Sequence, residues 1–340
     1  MSAGADTRIL VVGPAWVGDM VMCQSLLMIL RASAPEARID VLAPGWTRPL
    51  LDRMPEVDHA LVDSASHGRL RPIAQVALSR RLRKTGYGWA VLTRRSMKSA
   101  LAPLFAGIPR RTGVRGESRY LVVNDVRSID ADSHPAAVSR LAALGLPPGA
   151  CPAIDEVPWP KLRSDVERGM QRERELGLAD RGTVVGLAPG AAFGPAKRWP
   201  LEHWIELARR LAERGRAVWV FGGADEAAGG ARVTEAAGAL GQNLCGRTSL
   251  EDVIDLMARC GAVVSNDSGL MHVAAAVGTG VVALFGSTSP KNTPPLTRAA
   301  KILWLELECS PCFSRVCPLG HRRCLRDLTV ERALEALDQL

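Results

Sequence analysis

Four short loops hold the residues whose type and spacing could do chemistry. The first is Gly13-Pro-Ala-Trp-Val-Gly18-Asp19-Met20, which has the Gly-x4-Gly frame of a phosphate-binding loop. Asp19 and Met20 stand where such a loop needs Lys and Ser/Thr, and a carboxylate there repels a triphosphate, so ATPase chemistry is excluded. What remains is an acid at a helix start, read either as a cap or as a general base. The second loop runs from Ala188 to Pro200 through Gly190, Gly194, Lys197 and Arg198. Its small residues let backbone amides face a ligand, and Lys197 offers a point charge for a phosphate, with Arg198 either joining it or staying solvated. The third, Ser265-Asn266-Asp267-Ser268-Gly269-Leu270-Met271-His272, opens a helix after an apolar run. With Asp267 or Ser268 as cap, the N–H groups of Ser268, Gly269 and Leu270 and the helix dipole suit a diphosphate. His272 reads either as a packed helix residue or as a ligand contact. In the fourth, Phe221-Gly-Gly-Ala-Asp225-Glu226, an acid either binds ribose hydroxyls or simply begins a helix.

These loops need strands to carry them. Arg8–Gly13, Ile39–Ala43, Ala60–Asp63 and Trp89–Thr93 read as buried strands, with helical spacing over Asp19–Arg31, Thr47–Met54, Pro72–Lys84 and Ser96–Ala106. After a Pro-rich link, Leu146 to Pro160, the pattern restarts. Thr183–Ala188, Ala217–Phe221, Ala262–Ser265 and Val281–Phe285 are its strands, and Leu201–Glu213, Ala227–Ala239, Leu250–Arg259 and Gly269–Val277 its helices. Strand–helix alternation implies α/β units with parallel sheets covered on both faces. Ligands then bind beyond the carboxyl ends of the strands, where all four loops fall.

At 340 residues the chain suits two such domains, and 47% hydrophobic with 23% charged residues is ordinary for a globular protein. No export signal is visible. The longest uncharged run, Ser268 to Pro290, is broken by four glycines, so it reads as helix, turn and strand rather than a membrane span, and the protein is expected to be soluble or peripheral. The net charge of +8 is concentrated: Arg69 to Arg119 holds thirteen lysines and arginines against one acid, Glu117. Such a stretch is either a well-solvated surface or a field for an anionic partner. Tyr87, Trp89, Phe105 and Tyr120 are too few aromatics nearby for a nucleic-acid stacking platform. No G-x-G-x-x-G is present, which argues against a dinucleotide dehydrogenase. Cys23, Cys151, Cys245 and Cys260 sit in apolar contexts and read as buried hydrophobes. Cys309-x2-Cys312-x4-Cys317-x6-Cys324, with His321 inside it, has spacing for zinc or an iron–sulfur cluster, or else forms a group of unmetallated, redox-labile thiols.

Taken together, the loops resemble glycosyltransferase family 9, the ADP-heptose:lipopolysaccharide heptosyltransferases. The likeness is carried by Val11–Leu26, Leu42–Val57, Ser99–Tyr120, Ala188–Pro200 and Ser265–Ala276, and spans essentially the whole chain. It implies the GT-B fold, two Rossmann-like domains whose parallel sheets face across a cleft. The expected domains are an acceptor-binding one at 1–155, a nucleotide-sugar-binding one at 156–328, and a last helix at 329–340 packing back on the first. Within the family, Trp16–Asp19 and Gly194–Pro200 look like the branch that acts second. That implies inverting transfer of L-glycero-D-manno-heptose from ADP-heptose to the first heptose of the lipopolysaccharide inner core, at the cytoplasmic face of the inner membrane.

By the same resemblance Asp19 matches the general base and Lys197 the lysine that meets the donor phosphates. Gly18, Gly190, Arg198, Asp267, Ser268, Gly269 and His272 fall in the donor loops, and Glu226, or else Asp225, matches the acid near the ribose. Arg94, Lys98 and Arg115, with Arg95, Arg110 and Arg111, are the candidates for an anionic acceptor. The implied chemistry calls for no cofactor and no metal, and Asp130-Ala-Asp132 is a weak match to the Asp-x-Asp metal motif. The rival readings are a family member acting first or using another nucleotide sugar, a nucleotide-sugar epimerase, and a non-catalytic nucleotide-sugar-binding protein.

Overall fold

The short apolar runs do become strands, and each half of the chain builds its own sheet from six of them. The structure, a computed structural model, describes residues 8–63, 72–116, 121–178 and 182–340. Arg69, Arg71, Glu117, Arg119 and Tyr120 lie outside the described residues. The first unit, Met1–Pro160, contains β1 (Arg8–Val12), β2 (Arg38–Ala43), β3 (His59–Val62), β4 (Trp89–Leu92), β5 (Arg110–Val114) and β6 (Asp125–Arg127). The second, Lys161–Leu340, contains β7 (Val184–Ala188), β8 (Ala217–Val220), β9 (Gly241–Asn243), β10 (Ala262–Asn266), β11 (Gly280–Leu284) and β12 (Ala300–Leu303).

Both sheets are parallel and share one order. The first runs β3-β2-β1-β4-β5-β6 and the second β12-β11-β10-β7-β8-β9. In each, the first strand is central, flanked by the second and the fourth. The connections therefore diverge between β1 and β4 and between β7 and β10, which opens a crevice at the carboxyl edge. Central strands of such sheets are buried on both faces, so they read as unbroken apolar runs. Ile9 to Val12 are all buried, as are all five residues of β7 and of β10. Registers keep matched side chains at one level: Val11 pairs with Val41 and Val91, and Val264 with Leu187 and Val282.

Helices cover the sheets through one face each. In Leu201–Glu213 the buried residues are Trp204, Leu207, Ala208 and Leu211, the i, i+3, i+4, i+7 stripe of an amphipathic helix. Helix Val17–Ser33 begins with the first loop, so Asp19 falls in its first turn. The expected helix over Thr47–Met54 is shorter, a single turn at Arg48–Leu51. Strands β5, β6, β9 and β12 and helix Val166–Leu176 were not anticipated. Arg-Arg-Thr-Gly-Val and Gly-Gln-Asn lack an apolar run because they sit toward the sheet margins. Helix Val166–Leu176 buries only Gly169, so its apolar stripe is silent, although its boundary signals are present. Asp165 accepts from the Arg168 N–H at 3.0 Å, and Gly177 closes it with φ +69°.

The last helix shares the core of the second unit. Val330, Ala333, Leu334, Ala336 and Leu337 of helix Val330–Asp338 are buried there with Leu207, Leu211, Val282 and Leu284. Its apolar stripe packs on helix Leu201–Glu213 and on β11 and β12. No described helix is long and apolar enough to cross a membrane. Replacing Leu334, which is 3% exposed, by Ala is expected to lower stability by about 3 kcal/mol, measured by chemical denaturation of the whole chain.

Candidate functional site

In the second unit, the loops after β7, β10 and β11 converge on two adjacent side chains, Asn266 and Asp267. Asp267 Oδ2 accepts from Lys197 Nζ at 2.5 Å and from Thr288 Oγ1 at 2.5 Å, while Thr293 Oγ1 reaches Oδ1 at 3.4 Å. Asn266 clamps the long loop at both ends: its Nδ2 donates to the Pro189 carbonyl at 2.6 Å and its Oδ1 accepts from the Trp199 N–H at 3.1 Å. The indole of Trp199 donates in turn to the Leu328 carbonyl at 2.8 Å. The Lys197 ammonium is thus held, mostly buried, beside the start of helix Gly269–Ala276. Ser268 is that helix's N-cap but gives no side-chain cap bond, its hydroxyl lying 3.2 Å from that of Ser265. The first-turn N–H groups and a cation therefore stand together, an arrangement suited to a phosphate.

His272 lies one turn further along this helix and is buried. Burial holds its imidazole neutral, with a pKa lowered to about 4; the Asp267 charge opposes this and the Lys197 charge reinforces it. The ring therefore stays neutral at physiological pH.

Glu226 and Gly190 meet across the loops after β7 and β8. A Cβ at Gly190 would fall 1.9 Å from Glu226 Oε1, so the glycine is what lets the carboxylate lie against the loop backbone. Glu226 Oε2 also accepts from the Gly223 N–H at 2.9 Å, which makes it part of the local helix start. Both residues, with Asp225, Arg198, Trp199 and Arg322, line a cavity of about 430 Å³. A larger cavity, about 910 Å³, lies elsewhere, lined by Arg168, Arg172 and Asp252. It is an open groove of paired charges, with Arg168 bound to Asp252 at 2.7 Å and Asp255 at 2.6 Å.

In the first unit, the loops after β1, β2 and β4 are tied together at the carboxyl edge. Arg94 Nε donates to the Gly13 carbonyl at 2.6 Å, and its Nη1 lies 3.4 Å from Asp63 Oδ2. Trp46 Nε1 donates to the Ala15 carbonyl at 3.0 Å. Gly13 sits so close to Met20 and Val41 that a Cβ would meet the Met20 methyl at 2.8 Å. The N-cap of helix Val17–Ser33 is Trp16, so Asp19 is not the cap; it stands half-exposed in the first turn, with Gly18 buried beside it.

The basic stretch is not one patch. Arg115 and Lys98 stand at the carboxyl edge, where Gly116 packs against the Arg95 carbonyl. Arg110 and Arg111 begin β5, about 16 Å away along the strand. They are committed there to the scaffold: Arg110 pairs with Asp125 at 2.9 Å and stacks 4.0 Å over Trp89, and Arg111 donates to the Val122 carbonyl at 2.6 Å. Arg94 is committed as well, to the loop it braces. Asp130 accepts from the Asp132 and Ser133 N–H groups at 3.1 and 3.2 Å, the bonds of a turn.

Of the scattered cysteines, Cys23, Cys245 and Cys260 are buried and Cys151 is half-buried. Burial, with the Asp19 charge adding to it, pushes the Cys23 thiol up to about 12. Cys309, Cys312, Cys317 and Cys324 line one small cavity of about 20 Å³, and among the described residues no three His, Cys, Asp or Glu side chains are grouped to hold a metal ion. What this segment visibly does is buttress the loops after β7 and β11. The Arg315 carbonyl accepts from the Ala196 N–H at 3.0 Å, Phe313 N–H donates to Ser287 at 2.7 Å, and Ser310 Oγ to Gly286 at 2.6 Å.

The family model described as glycosyltransferase family 9 (heptosyltransferase) matches residues 75–322. The chain belongs to that family. It is 42% identical to lipopolysaccharide heptosyltransferase 2 of Escherichia coli (strain K12), covering 98% of each chain, and 41% identical to lipooligosaccharide heptosyltransferase 2 of Haemophilus influenzae, covering 98% of this chain and 99% of that one. The solved structure of the E. coli ADP-heptose lipopolysaccharide heptosyltransferase II superposes with a TM-score of 0.87 at 41% identity, with 98% of each chain covered. The two parallel sheets are accordingly those of the GT-B fold of this family.

Sequence reasoning did not single out Asn266, Thr288, Thr293 or Trp46. The threonines lie more than twenty residues beyond Asp267, and only the parallel pairing of β10 with β11 brings their loop to it. Asn266→Ala would leave the Trp199 N–H and the Pro189 carbonyl without their partner; stability is expected to fall by about 2 kcal/mol in chemical denaturation. His272 binds protons less readily folded than unfolded, so it contributes stability above pH 6.5 that is lost as the pH falls toward 4. His272→Gln is expected to flatten the fall in melting temperature between pH 6.5 and 4.

Proposed function

We propose that this glycosyltransferase moves L-glycero-D-manno-heptose from ADP-heptose to the first heptose of the lipopolysaccharide inner core, releasing ADP with inversion at the anomeric carbon. The full-length identity to heptosyltransferases named for the second addition favours that acceptor. The observation that carries the donor half is the Lys197 ammonium at the uncapped start of helix Gly269–Ala276, at the switch point of the second sheet. A nucleoside diphosphate sugar places its two phosphates at such a point, and Glu226 with Asp225 beside the 430 Å³ cavity suits ribose hydroxyls.

In this reading Asp19 accepts the proton of an acceptor hydroxyl as that oxygen forms its bond to the anomeric carbon. The bond from that carbon to the diphosphate oxygen breaks, and ADP leaves with the electron pair through an oxocarbenium-like transition state. Lys197 and the helix N–H groups stabilise the charge that builds on the departing phosphate. Those groups bear the leaving charge, so the step is written without a metal. Lys98 and Arg115 at the carboxyl edge of the first sheet attract the anionic inner core, at the cytoplasmic face of the inner membrane.

Purified protein given ADP-heptose is expected to transfer to Kdo2-lipid A that already bears one heptose, and not to Kdo2-lipid A itself, with mass spectrometry and ADP release as readouts. Transfer to the unsubstituted acceptor alone would make it the first-acting enzyme, and donor turnover without acceptor would make it an epimerase. Asp19→Asn is expected to reduce kcat by at least about 10³-fold with ADP affinity unchanged; full activity in that variant would sink the base assignment.

A further inference from the structure

Two cavities of the second unit share one pair of arginines. The cavity of about 430 Å³ beside Glu226 is lined by Arg198, Glu202, Asp225 and Arg322. A second, of about 420 Å³, shares Arg198, Glu202 and Arg322 and adds His203 and Arg326. Arg198 belongs to the loop after β7, where spacing already marked it. Arg322 comes from the cysteine-bearing segment more than a hundred residues later, and no local pattern points to it. It is exposed, and among the described residues its guanidinium makes no hydrogen bond or ion pair.

The backbone holds Arg322 at this wall at a cost. Its φ is +47°, the left-handed region that a residue bearing a side chain enters only when its surroundings impose it. Those surroundings are present on both sides. The N–H groups of Leu319, Gly320, His321 and Arg322 hydrogen-bond to the Cys317 sulfur. The Arg322 carbonyl accepts from the Leu325 N–H at 3.0 Å and the Arg326 N–H at 2.8 Å. Leu325 is buried, so close to Gly286 that a Cβ there would meet its Cγ at 2.5 Å. The segment is thus anchored in the core and around a thiol, and it leaves one long cationic side chain uncommitted.

The charge of the wall says what that side chain meets. Lys197 is already matched by Asp267 at 2.5 Å. The 430 Å³ cavity carries three carboxylates, Glu202, Asp225 and Glu226, against the guanidiniums of Arg198 and Arg322. Without Arg322, three carboxylates would face one guanidinium, and an entering diphosphate would be repelled. A guanidinium also presents its N–H groups as a planar fork that matches two phosphate oxygens.

We propose that Arg322 is a donor-binding residue, pairing with Arg198 to hold the diphosphate of a nucleoside diphosphate sugar in the cavity beside Glu226. The proposal deepens the function reading above and rests on it for the identity of the nucleotide. It gives the cysteine-bearing segment a part in the reaction, which is to position Arg322.

The test uses the full-length protein and ADP as the probe, with affinity read by calorimetry. Arg322→Ala is expected to weaken ADP binding about tenfold, and to raise the KM for ADP-heptose alike while the acceptor KM stays unchanged. Arg322→Lys keeps the charge but loses the fork, so it should recover about half of that loss on a logarithmic scale. Arg322→Gly relieves the left-handed backbone, so a loss equal to that of the alanine variant assigns the effect to the guanidinium rather than to the loop. Arg326→Ala, which removes the same charge one turn further on, should bind ADP as the wild type does. Unchanged ADP affinity in Arg322→Ala would overturn the proposal, and so would a lysine variant no better than alanine. If the wild type ignores ADP but binds UDP, GDP or CDP through Arg322, the proposal stands and the donor reading falls. Binding of ADP that ignores Arg322 sinks the proposal alone, and binding of no nucleoside diphosphate sinks both.

Discussion

In the second unit the Asp267 carboxylate ties together loops that are far apart in the chain. It is buried, and it gathers Lys197 from the loop after β7 and Thr288 and Thr293 from the loop after β11 around the end of β10. A buried carboxylate is tolerated only when its oxygens are matched by donors, and a buried ammonium only when it is paired. Each therefore fixes the other, and with them three loops that share no sequence proximity. Removing either partner leaves the other charge uncompensated, which costs more than the pair contributes.

The first unit solves the same problem with the opposite sign. There a cation, Arg94, reaches from the β4 loop to the Gly13 carbonyl and toward Asp63, closing the switch point between β1 and β4. The guanidinium is spent on the backbone that aims Asp19, so it shapes the site rather than serving as a loose charge. Two sheets of identical strand order thus present different edges. One bears an acid in a helix first turn among exposed tryptophans, and the other bears a lysine against an open helix start.

Much of this was readable because central parallel strands leave an unmistakable record. Ile9–Val12, Val184–Ala188 and Ala262–Val264 are continuous apolar runs of the kind a sheet covered on both faces requires, and each leads into a loop that holds glycine and charge. The margins were not readable. Strand β9, at an edge, is Gly-Gln-Asn, and β5, one place in from an edge, carries two arginines and a glycine; both are held by backbone pairing and show no apolar run. Helix Val166–Leu176 was silent for the same reason, since it buries one glycine and little else.

The amino-acid sequence by itself determined the fold class, the restart of the strand–helix pattern after the Pro-rich link, and the loops that bear Asp19, Lys197, Glu226 and Asp267. These follow from local periodicity and from residue types at the ends of strands. Only the tertiary structure decided which of those side chains meet. Spacing could not show that Asn266 clamps both ends of a loop some seventy residues away, or that the arginines at 110 and 111 belong to a different edge from Arg115. Nor could it show that the last helix fills the core of its own unit. Those outcomes depend on strand order, and strand order is set by which apolar faces find one another after the chain has left the range over which sequence patterns are local.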